Sequence, residues 1–277
     1  MNDEILKKLH KEEIEILDEF VRICNKYNLN YFLIGGTLLG AVRHSGYIPW
    51  DDDLDIAMPR KDYELFLKLA SKELKENFIL DYYTTNKNYC LAFAKIRNNK
   101  TEFIENFSQT LPGYKGIWLD IFPLDDAKNT GILLKIRAEV TRMVKRLLVI
   151  KCIQPKNEQK ARTIVRIILK IFPKKTLSFL CKELMVVGNN ENNKYYINLG
   201  SQYKIHRQTH LKEKCLPVTT LLFEGKEYNV PKDSDYVLTN IYGKSYMQLP
   251  PKDKRVTHAP IKIKFSDGEE IVFDEEI

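Results

Sequence analysis

The sequence predicts an α+β fold, a mixed β-sheet with flanking helices, from three observations. Short apolar strand-like segments alternate with segments of helical spacing over residues 1–126. A helical pattern rich in Lys and Arg occupies residues 127–190, and strand, turn and helix signals return over residues 191–277. We therefore expect a core over the first range, a basic amphipathic helical insertion over the second, and a small C-terminal α/β portion that completes a cleft of the core.

Composition places the chain among globular proteins. Of its 277 residues, 44% are hydrophobic and 11% are aromatic, which is enough to bury a sizeable core. No run of about 18 uncharged apolar residues occurs and the N-terminus is densely charged, so we expect neither a transmembrane helix nor a secretory signal. The 5 cysteines are scattered without a C-x-x-C pair, which predicts reduced thiols in a cytoplasmic protein.

The first elements follow one another closely. Apolar residues recur at helical spacing over residues 3–27, which predicts one long helix. YFLIGG then predicts a short strand, and TLLGAVRH predicts a helix with Thr37 as its N-cap. DLDIAM alternates with a period of two, so it predicts a strand that Pro59 ends before a helix over residues 60–76.

Shorter signals predict the remaining elements. FILDYYT, CLAFAKIRN and GIWLDIFPL are strand candidates, with Asp125 and Asp126 expected in a loop beyond the third. Helical spacing runs from about residue 131 to 185, with breaks near Pro155 and Pro173. Further signals predict a strand at YYINLG, a hairpin turn at Glu224-Gly225 and a helix over residues 234–242.

Four carboxylates crowd the apolar segment that contains Asp51, Asp52, Asp53 and Asp55. On a strand Asp53 and Asp55 face the same side, where their repulsion would be relieved by a small hard cation such as Mg²⁺ or Mn²⁺. Asp51 shares this parity, but it lies where the strand begins and is a weaker candidate ligand. Asp52 faces the other side and is expected to cap or bridge locally.

Two other metal or sugar motifs share the D-x-D pattern. A calcium EF-hand loop needs Gly and Glu where this chain has Ile56 and Asp62, so it is excluded. A glycosyltransferase-type D-x-D stays open on this motif alone.

The pair Gly35-Gly36 precedes the acidic segment and sharpens its interpretation. A strand that runs into Gly-Gly-Thr and then a helix presents backbone N–H groups and the positive end of a helix dipole. Glycine allows close approach of a phosphate, to which the hydroxyl of Thr37 can also bind. The alternative is a tight strand-to-helix turn without a ligand. Together with the D-x-D strand, the turn favours a nucleotide phosphate bridged by Mg²⁺.

The stretch GGTLLGAVRHSGYIPWDDDLDIAMPRKDYELF closely resembles the signature of the LicD family, which includes bacterial phosphorylcholine transferases and fukutin-related proteins. Looser matches follow at GIWLDIFPLD and at YGKSYMQLPPKDKRVTH, so the resemblance runs discontinuously from Tyr31 to about His258. It implies a nucleotidyltransferase-like catalytic core over residues 1–126.

The resemblance assigns roles to residues of this chain. Gly35, Gly36 and Thr37 would form the phosphate turn, and Asp53 and Asp55 would be paired metal ligands. Asp120 in WLDIFP would be the third carboxylate and the candidate general base. Asp120 also lies between apolar strand residues, where a carboxylate without a partner is costly unless it faces solvent at a strand end.

The family's activity implies a metal-dependent transfer of a phosphate-linked alcohol from a CDP-activated donor to a sugar hydroxyl. The most probable donor by resemblance is CDP-choline, and the acceptor would be a teichoic acid, capsule or lipopolysaccharide precursor. CDP-ribitol or CDP-glycerol are alternative donors. A nucleotidyltransferase acting on RNA or a small molecule and a non-catalytic binding module are the rival functions, although few stacking aromatics in the basic segment disfavour nucleic acid.

Basic side chains are needed to bind the donor phosphates. Arg43, Lys95 and His258 are the leading candidates, and each could instead be a solvated charge or a structural pair. Further candidates are His44, Arg97 and Arg255.

The basic character of the chain belongs to one segment. Residues 127–182 hold 15 Lys and Arg against 2 Glu, a local charge of +13 within a chain of net charge +7. Large aliphatic residues accompany these cations at helical spacing, which is typical of helices that lie on anionic membranes. The hypothesis is a peripheral contact with the inner face of the cytoplasmic membrane, and the alternative is an ordinary helical layer with a solvated basic face.

Overall fold

The computed structural model describes residues 1–105, 113–152, 160–255 and 257–273. The helices are α1 Asp3–Tyr27, α2 Gly35–His44, α3 Arg60–Glu73, α4 Ile132–Cys152, α5 Lys160–Leu169, α6 Lys174–Val186, α7 Lys212–Cys215 and α8 Ser234–Tyr242. The strands are β1 Phe32–Leu33, β2 Asp55–Pro59, β3 Phe78–Asp81, β4 Ala94–Asn98, β5 Glu102–Glu105, β6 Trp118–Ala127, β7 Tyr195–Ile197, β8 Thr209–Leu211, β9 Thr219–Phe223, β10 Lys226–Val230, β11 Pro260–Lys264 and β12 Glu270–Val272.

A mixed sheet forms the centre of the described chain. Its strands run in the order β1-β2-β6-β4-β3, and β7 and β8 extend it from the far end of β6. Strands β2 and β6 are parallel, whereas β4 and β7 pair with β6 in the antiparallel direction. Helices flank this sheet, and β5, β11 and β12 form a separate small sheet. The predicted α+β class is confirmed.

Several elements have the bounds that local signals predict. Helix α1 covers residues 3–27 and begins where the Asn2 side chain accepts the Ile5 N–H at 2.9 Å. Helix α8 covers residues 234–242 and has Asp233 as its N-cap. The hairpin β9–β10 turns at Glu224-Gly225, where both residues have positive φ. The predicted break at Pro155 lies outside the described residues.

Three local predictions are wrong. Helix α2 begins at Gly35 with Ile34 as its N-cap, so Thr37 lies inside the first turn and does not cap it. Strand β2 begins only at Asp55, so Asp53 precedes the strand. Asp125 and Asp126 are buried members of β6. Burial of the Asp125 carboxylate is possible because Arg60 forms two hydrogen bonds of 2.8 Å with it. Such a distant partner leaves no trace in the local pattern.

Two hydrophobic cores form within the described residues. The larger joins side chains from residues 6–124 to others from residues 196–265, so the C-terminal portion completes the same core as the central sheet. The smaller core lies among α4, α5 and α6 and contacts the end of β6. The division into three domains stays a prediction.

The expectation of five reduced cysteines is wrong for two of them. Cys90 and Cys152 form a disulfide with Cα atoms 6.4 Å apart, which joins the loop before β4 to the end of α4. Cys24, Cys181 and Cys215 are buried free thiols, as predicted. Scattered spacing could not reveal the pair, because the partners are 62 residues apart.

Among the helices described, none combines the length and the apolar character needed to cross a membrane.

Candidate active site

The glycine turn and the acidic strand lie against each other. Gly35 has φ of +61°, and a Cβ atom at this position would lie 2.7 Å from Oδ2 of Asp55. A Cβ atom on Gly36 would lie 2.6 Å from Oδ2 of Asp51. Both separations are shorter than real Cβ contacts, so only glycine allows the two carboxylates to approach the start of α2.

Hydrogen bonds hold this arrangement in register. The Asp55 N–H donates to Oγ1 of Thr37 at 2.8 Å, and the Ile34 N–H donates to the Asp55 carbonyl at 3.1 Å. Thr37 thus ties the first turn of α2 to the first residue of β2. The first N–H groups of a helix have no intrahelical acceptors, so the turn directs donors toward the acidic strand.

The parallel pairing of β2 and β6 brings the predicted carboxylates together. Asp55 is directly opposite Asp120, and the Asp120 N–H donates to the Leu54 carbonyl at 2.9 Å. Neighbouring strands are about 4.8 Å apart, so these two side chains share one small region of the sheet. Asp53 lies in the segment just before β2, and its charge raises the pKa values of both Asp55 and Asp51, after burial.

Burial and mutual repulsion raise the pKa values of Asp51, Asp53 and Asp55. Burial followed by the charges of Asp53 and Asp52 raises the pKa of Asp51 to about 8. Burial raises the pKa of Asp53 to about 6 despite the opposing charge of His258. The pKa of Asp55 is raised well above its ordinary value by burial and then by its acidic neighbours. Asp51 therefore belongs to the acidic cluster, here defined as Asp51, Asp53, Asp55 and Asp120.

The acidic cluster fits a divalent cation by its chemistry. As the side chains stand, the part of the chain that the structure describes holds no three acidic, His or Cys side chains that converge on one metal position. Mg²⁺ does not require such a cage, since it binds through one or two carboxylates together with substrate phosphates and water. The all-oxygen donors, their enclosure and their mutual repulsion suit that mode of binding.

Lys95 is a buried cation beside the cluster. It is the register partner of Asp120 on β4, and its Nζ lies 2.7 Å from Oδ1 of Asp120. The same Nζ lies 4.2 Å from the ring centroid of Trp118. Burial lowers the pKa of Lys95, and the charge of Asp120 opposes that shift. Lys95 thus pairs with Asp120, and its phosphate-binding role stays a prediction.

His258 connects the C-terminal tail to the acidic segment. Its N–H donates to Oδ2 of Asp52 at 2.9 Å, its Nδ1 lies 2.9 Å from Oδ1 of Asp52, and its Nε2 lies 3.9 Å from Asp53. Burial disfavours the imidazolium, but the bond to Asp52 and the charge of Asp53 outweigh it and raise the pKa of His258 to about 9. Asp52 therefore bridges to a residue 206 positions away and does not cap locally.

Arg43 lies in the last turn of α2, at the other end of the helix from the glycine turn. Its Nη1 donates to the carbonyls of Tyr246 at 3.0 Å and Gln248 at 3.4 Å, and its Nε lies 2.9 Å from Nε2 of His44. Arg43 thus anchors the tail to α2, and its phosphate-binding role stays a prediction.

The two remaining arginine candidates have structural partners. Arg97 donates to Oδ2 of Asp81 at 2.8 Å and to the Gly116 carbonyl at 2.8 Å. Arg255 stacks 4.1 Å from the ring centroid of Trp50 in the acidic segment. Arg97 therefore stabilises the strands around β4, and Arg255 stabilises the acidic segment through Trp50.

Two tyrosines near the acidic cluster were absent from the sequence-based candidates. Tyr242 ends α8 and Tyr203 lies in the loop after β7, and the charge of Asp55 acts on the pKa of each. No motif marks Tyr203, and Tyr242 is only the first residue of the looser tail match YGKSYMQLPPKDKRVTH. Each tyrosine is brought to the cluster by a separate C-terminal element.

Comparison with known proteins decides the family. The chain is 30% identical over 273 residues to the lipopolysaccharide cholinephosphotransferase LicD of Haemophilus influenzae, covering 91% of this chain and 97% of that protein. The chain belongs to the LicD family. The family described as LicD/FKTN/FKRP, nucleotidyltransferase domain, matches residues 28–136, which contain the glycine turn, the acidic segment and Asp120.

Two further proteins are similar to shorter parts of the chain. An uncharacterized protein of Rickettsia prowazekii is 34% identical over 94 residues, covering 32% of this chain and 35% of that protein. An uncharacterized protein of Caenorhabditis elegans is 45% identical over 53 residues, covering 19% of this chain and 14% of that protein. High identity is thus concentrated in limited segments of the chain.

Proposed function

We propose that this LicD-family protein transfers phosphocholine from CDP-choline to a sugar hydroxyl of a cell-surface glycan precursor. The observation that carries the proposal is the approach of the acidic cluster to the glycine turn, in a chain similar along nearly its whole length to a cholinephosphotransferase. Lipopolysaccharide, capsule and teichoic acid precursors all present such hydroxyl groups. A CDP-activated donor would place the reaction in the cytoplasm, at the inner face of the membrane.

The residues divide the work between donor and acceptor. Asp53, Asp55 and Asp120 would hold Mg²⁺ or Mn²⁺, which would neutralise the donor phosphates in an in-line displacement. Gly35 and Gly36 leave backbone donors open to a phosphate oxygen at the start of α2. Asp120 would accept the proton of the attacking sugar hydroxyl, and Lys95, whose Nζ lies 2.7 Å from Oδ1 of Asp120, would hold that carboxylate in position. His258 would steady the acidic segment through Asp52.

A panel of activated donors tests this function. Purified protein with Mg²⁺ is incubated with CDP-choline, CDP-ribitol, CDP-glycerol or nucleoside triphosphates, and release of CMP or pyrophosphate is measured with and without glycan acceptor. We expect acceptor-stimulated CMP release from CDP-choline. Stimulation only by the other CDP-alcohols would change the transferred group, whereas pyrophosphate release on RNA would support the rival nucleotidyltransferase.

The second part of the proposal is a peripheral contact with an anionic membrane through α5. An apolar stripe on this helix and the turn after it faces solvent, with Ile171 79% exposed, while Leu169 on the opposite side is buried. The stripe consists of Ile164, Ile167, Ile168 and Ile171. Exposed apolar rows of this kind mark binding surfaces, and Arg162 and Lys170 lie exposed beside it.

The positive charge of residues 127–182 favours an anionic bilayer over a second copy of the chain as the partner of this stripe. A second copy of the chain would bring an identical +13 segment against the first, which repels. Anionic lipid attracts the same cations, each contributing about 1 kcal/mol near the surface. The contact would bring the site close to membrane-linked acceptors.

Vesicle flotation tests the membrane contact. We expect the protein to float with phosphatidylglycerol vesicles at low salt and to lose binding with phosphatidylcholine or in about 0.5 M salt, because screening weakens surface attraction. The double variant Ile164→Ser/Ile168→Ser should reduce flotation several-fold, whereas Leu222→Ser, which changes a 49% exposed leucine on β9, should not. Failure to float with anionic vesicles at low salt would contradict the contact.

A further inference from the structure

Two partly exposed tyrosines pack edge to face near the acidic cluster. The ring centroids of Tyr203 and Tyr242 are 6.3 Å apart and the ring planes are 83° apart. Tyr203 is 38% exposed, so part of its ring is accessible to a ligand. Tyr242 ends α8, which packs against α2, the helix that begins at the glycine turn. Burial, then the charges of Tyr203 and Asp55, raise the pKa of Tyr242.

The loop that carries Tyr203 is built from dedicated contacts. Lys145 of α4 donates from Nζ to three consecutive carbonyls, those of Leu199 at 2.8 Å, Gly200 at 2.6 Å and Ser201 at 2.7 Å. The Tyr203 N–H in turn donates to Oγ of Ser201 at 3.2 Å. This partly buried lysine binds three backbone oxygens and so orders the loop before any ligand arrives, which favours binding by reducing the ordering entropy.

A pair of phenylalanines joins this loop to the strand of Asp120. Phe122 lies two residues after Asp120 and so on the same face of β6, and its ring centroid is 4.3 Å from that of Phe93. A Cβ atom on Gly200 would lie 3.2 Å from the Phe122 ring. Phe122 therefore connects the face of β6 that carries Asp120 with the loop that carries Tyr203.

Aromatic faces next to carboxylates suit a quaternary ammonium group. Such a group has no hydrogen to donate, so it is recognised by the negative faces of aromatic rings. A polyol such as ribitol or glycerol needs polar partners for each hydroxyl, which ring faces cannot supply. Nζ of Lys95 lies 5.8 Å from the Phe93 ring centroid, and its charge would repel a cation from that ring. The phosphate therefore belongs on the Lys95 side and the ammonium on the tyrosine side.

We propose that Tyr203 and Tyr242, together with Phe122 of the neighbouring β6 strand, form the subsite that binds the trimethylammonium group of the donor. This inference rests on the proposed function, because it assumes a choline-containing donor at the acidic cluster. It assigns the choice between choline and polyol donors to residues outside GGTLLGAVRHSGYIPWDDDLDIAMPRKDYELF, the stretch that most closely resembles the LicD signature.

A neutral donor analogue isolates the contribution of the positive charge. In CDP-3,3-dimethylbutanol a carbon atom replaces the choline nitrogen, so shape is preserved while the charge is lost. We expect the wild-type protein to prefer CDP-choline over this analogue by about tenfold or more in kcat/KM, as cation–π recognition predicts. Tyr203→Leu and Tyr242→Leu should reduce the preference several-fold, mainly through KM, whereas the Phe variants should retain it.

Controls separate the outcomes. Tyr27→Leu, which changes a half-buried tyrosine at the end of α1, should leave the preference unchanged, and thermal melting checks that each variant is folded. A wild-type protein that uses the neutral analogue as well as CDP-choline overturns the subsite without any variant. A preference that survives in both folded Leu variants also overturns it. A wild-type protein inactive with CDP-choline overturns the proposed function itself.

Discussion

Asp55→Asn is expected to abolish transfer, by about 10³-fold or more, and at the same time to raise the melting temperature of the metal-free protein. The loss of activity is expected because Asp55 lies opposite Asp120 and beside the glycine turn, where the proposed mechanism requires the charge of the donor to be neutralised. The gain follows because burial and acidic neighbours raise the pKa of Asp55, so its ionised form destabilises the folded state at neutral pH. Removing that charge should stabilise the fold by about 1 kcal/mol, or a few degrees.

Added Mg²⁺ should make the wild-type protein more stable than Asp55→Asn, which is the reverse of their order without metal. A ligand that binds only the folded state raises its stability by mass action, so wild-type protein should gain more from Mg²⁺ than the Asn variant does. Melting curves at neutral pH with EDTA and with Mg²⁺ measure both effects. Asp253→Asn, which changes an exposed aspartate in the tail, is the matched control and should alter neither stability nor activity. An active Asp55→Asn protein, or one less stable than wild type in EDTA, would contradict the assignment.

Gly35→Ala is expected to lower activity by about 10²-fold or more and to lower stability as well. The left-handed backbone at Gly35 disfavours any side chain by about 1–2 kcal/mol. In addition, the new Cβ atom would lie 2.7 Å from Oδ2 of Asp55, so the carboxylate of Asp55 must move away from the glycine turn. Steady-state kinetics and thermal melting of the same preparation measure the two effects.

Gly188→Ala separates backbone strain from the loss of the site. Gly188 has a similar φ of +77°, but a Cβ atom there meets nothing within 4 Å. This variant should lose comparable stability from strain and keep the wild-type rate. If Gly35→Ala were as active as Gly188→Ala, the close approach of Asp55 to the turn would have no functional importance.

Local signals were sufficient for much of the fold and for part of the site. Helix α1, the hairpin at Glu224-Gly225 and helix α8 follow from periodicity, turn chemistry and caps, all of which act over a few residues. Asp53, Asp55 and Asp120 attract attention because carboxylates in apolar segments need a partner. The pattern did not show that Asp51 joins them, since a strand beginning at Asp55 leaves the preceding residues without a fixed face.

Partnerships between distant residues could not be anticipated. Asp125 was expected in a loop because no neighbouring residue in the chain indicates that Arg60 is its partner. The Cys90–Cys152 disulfide likewise joins two segments that share no motif. The bond from His258 to Asp52 and the pairing of Tyr203 with Tyr242 likewise depend on how separate elements pack.

The sequence by itself determined the element types, the glycine turn and the acidic residues that we propose for the chemistry, because each depends on backbone preference and side-chain spacing within a short stretch. Only the tertiary structure decided which carboxylates meet, which cation accompanies them and which aromatic rings line the neighbouring surface. The physical reason is that strand register and helix packing set distances between residues that are far apart in the chain, and those distances arise from burial of the whole core.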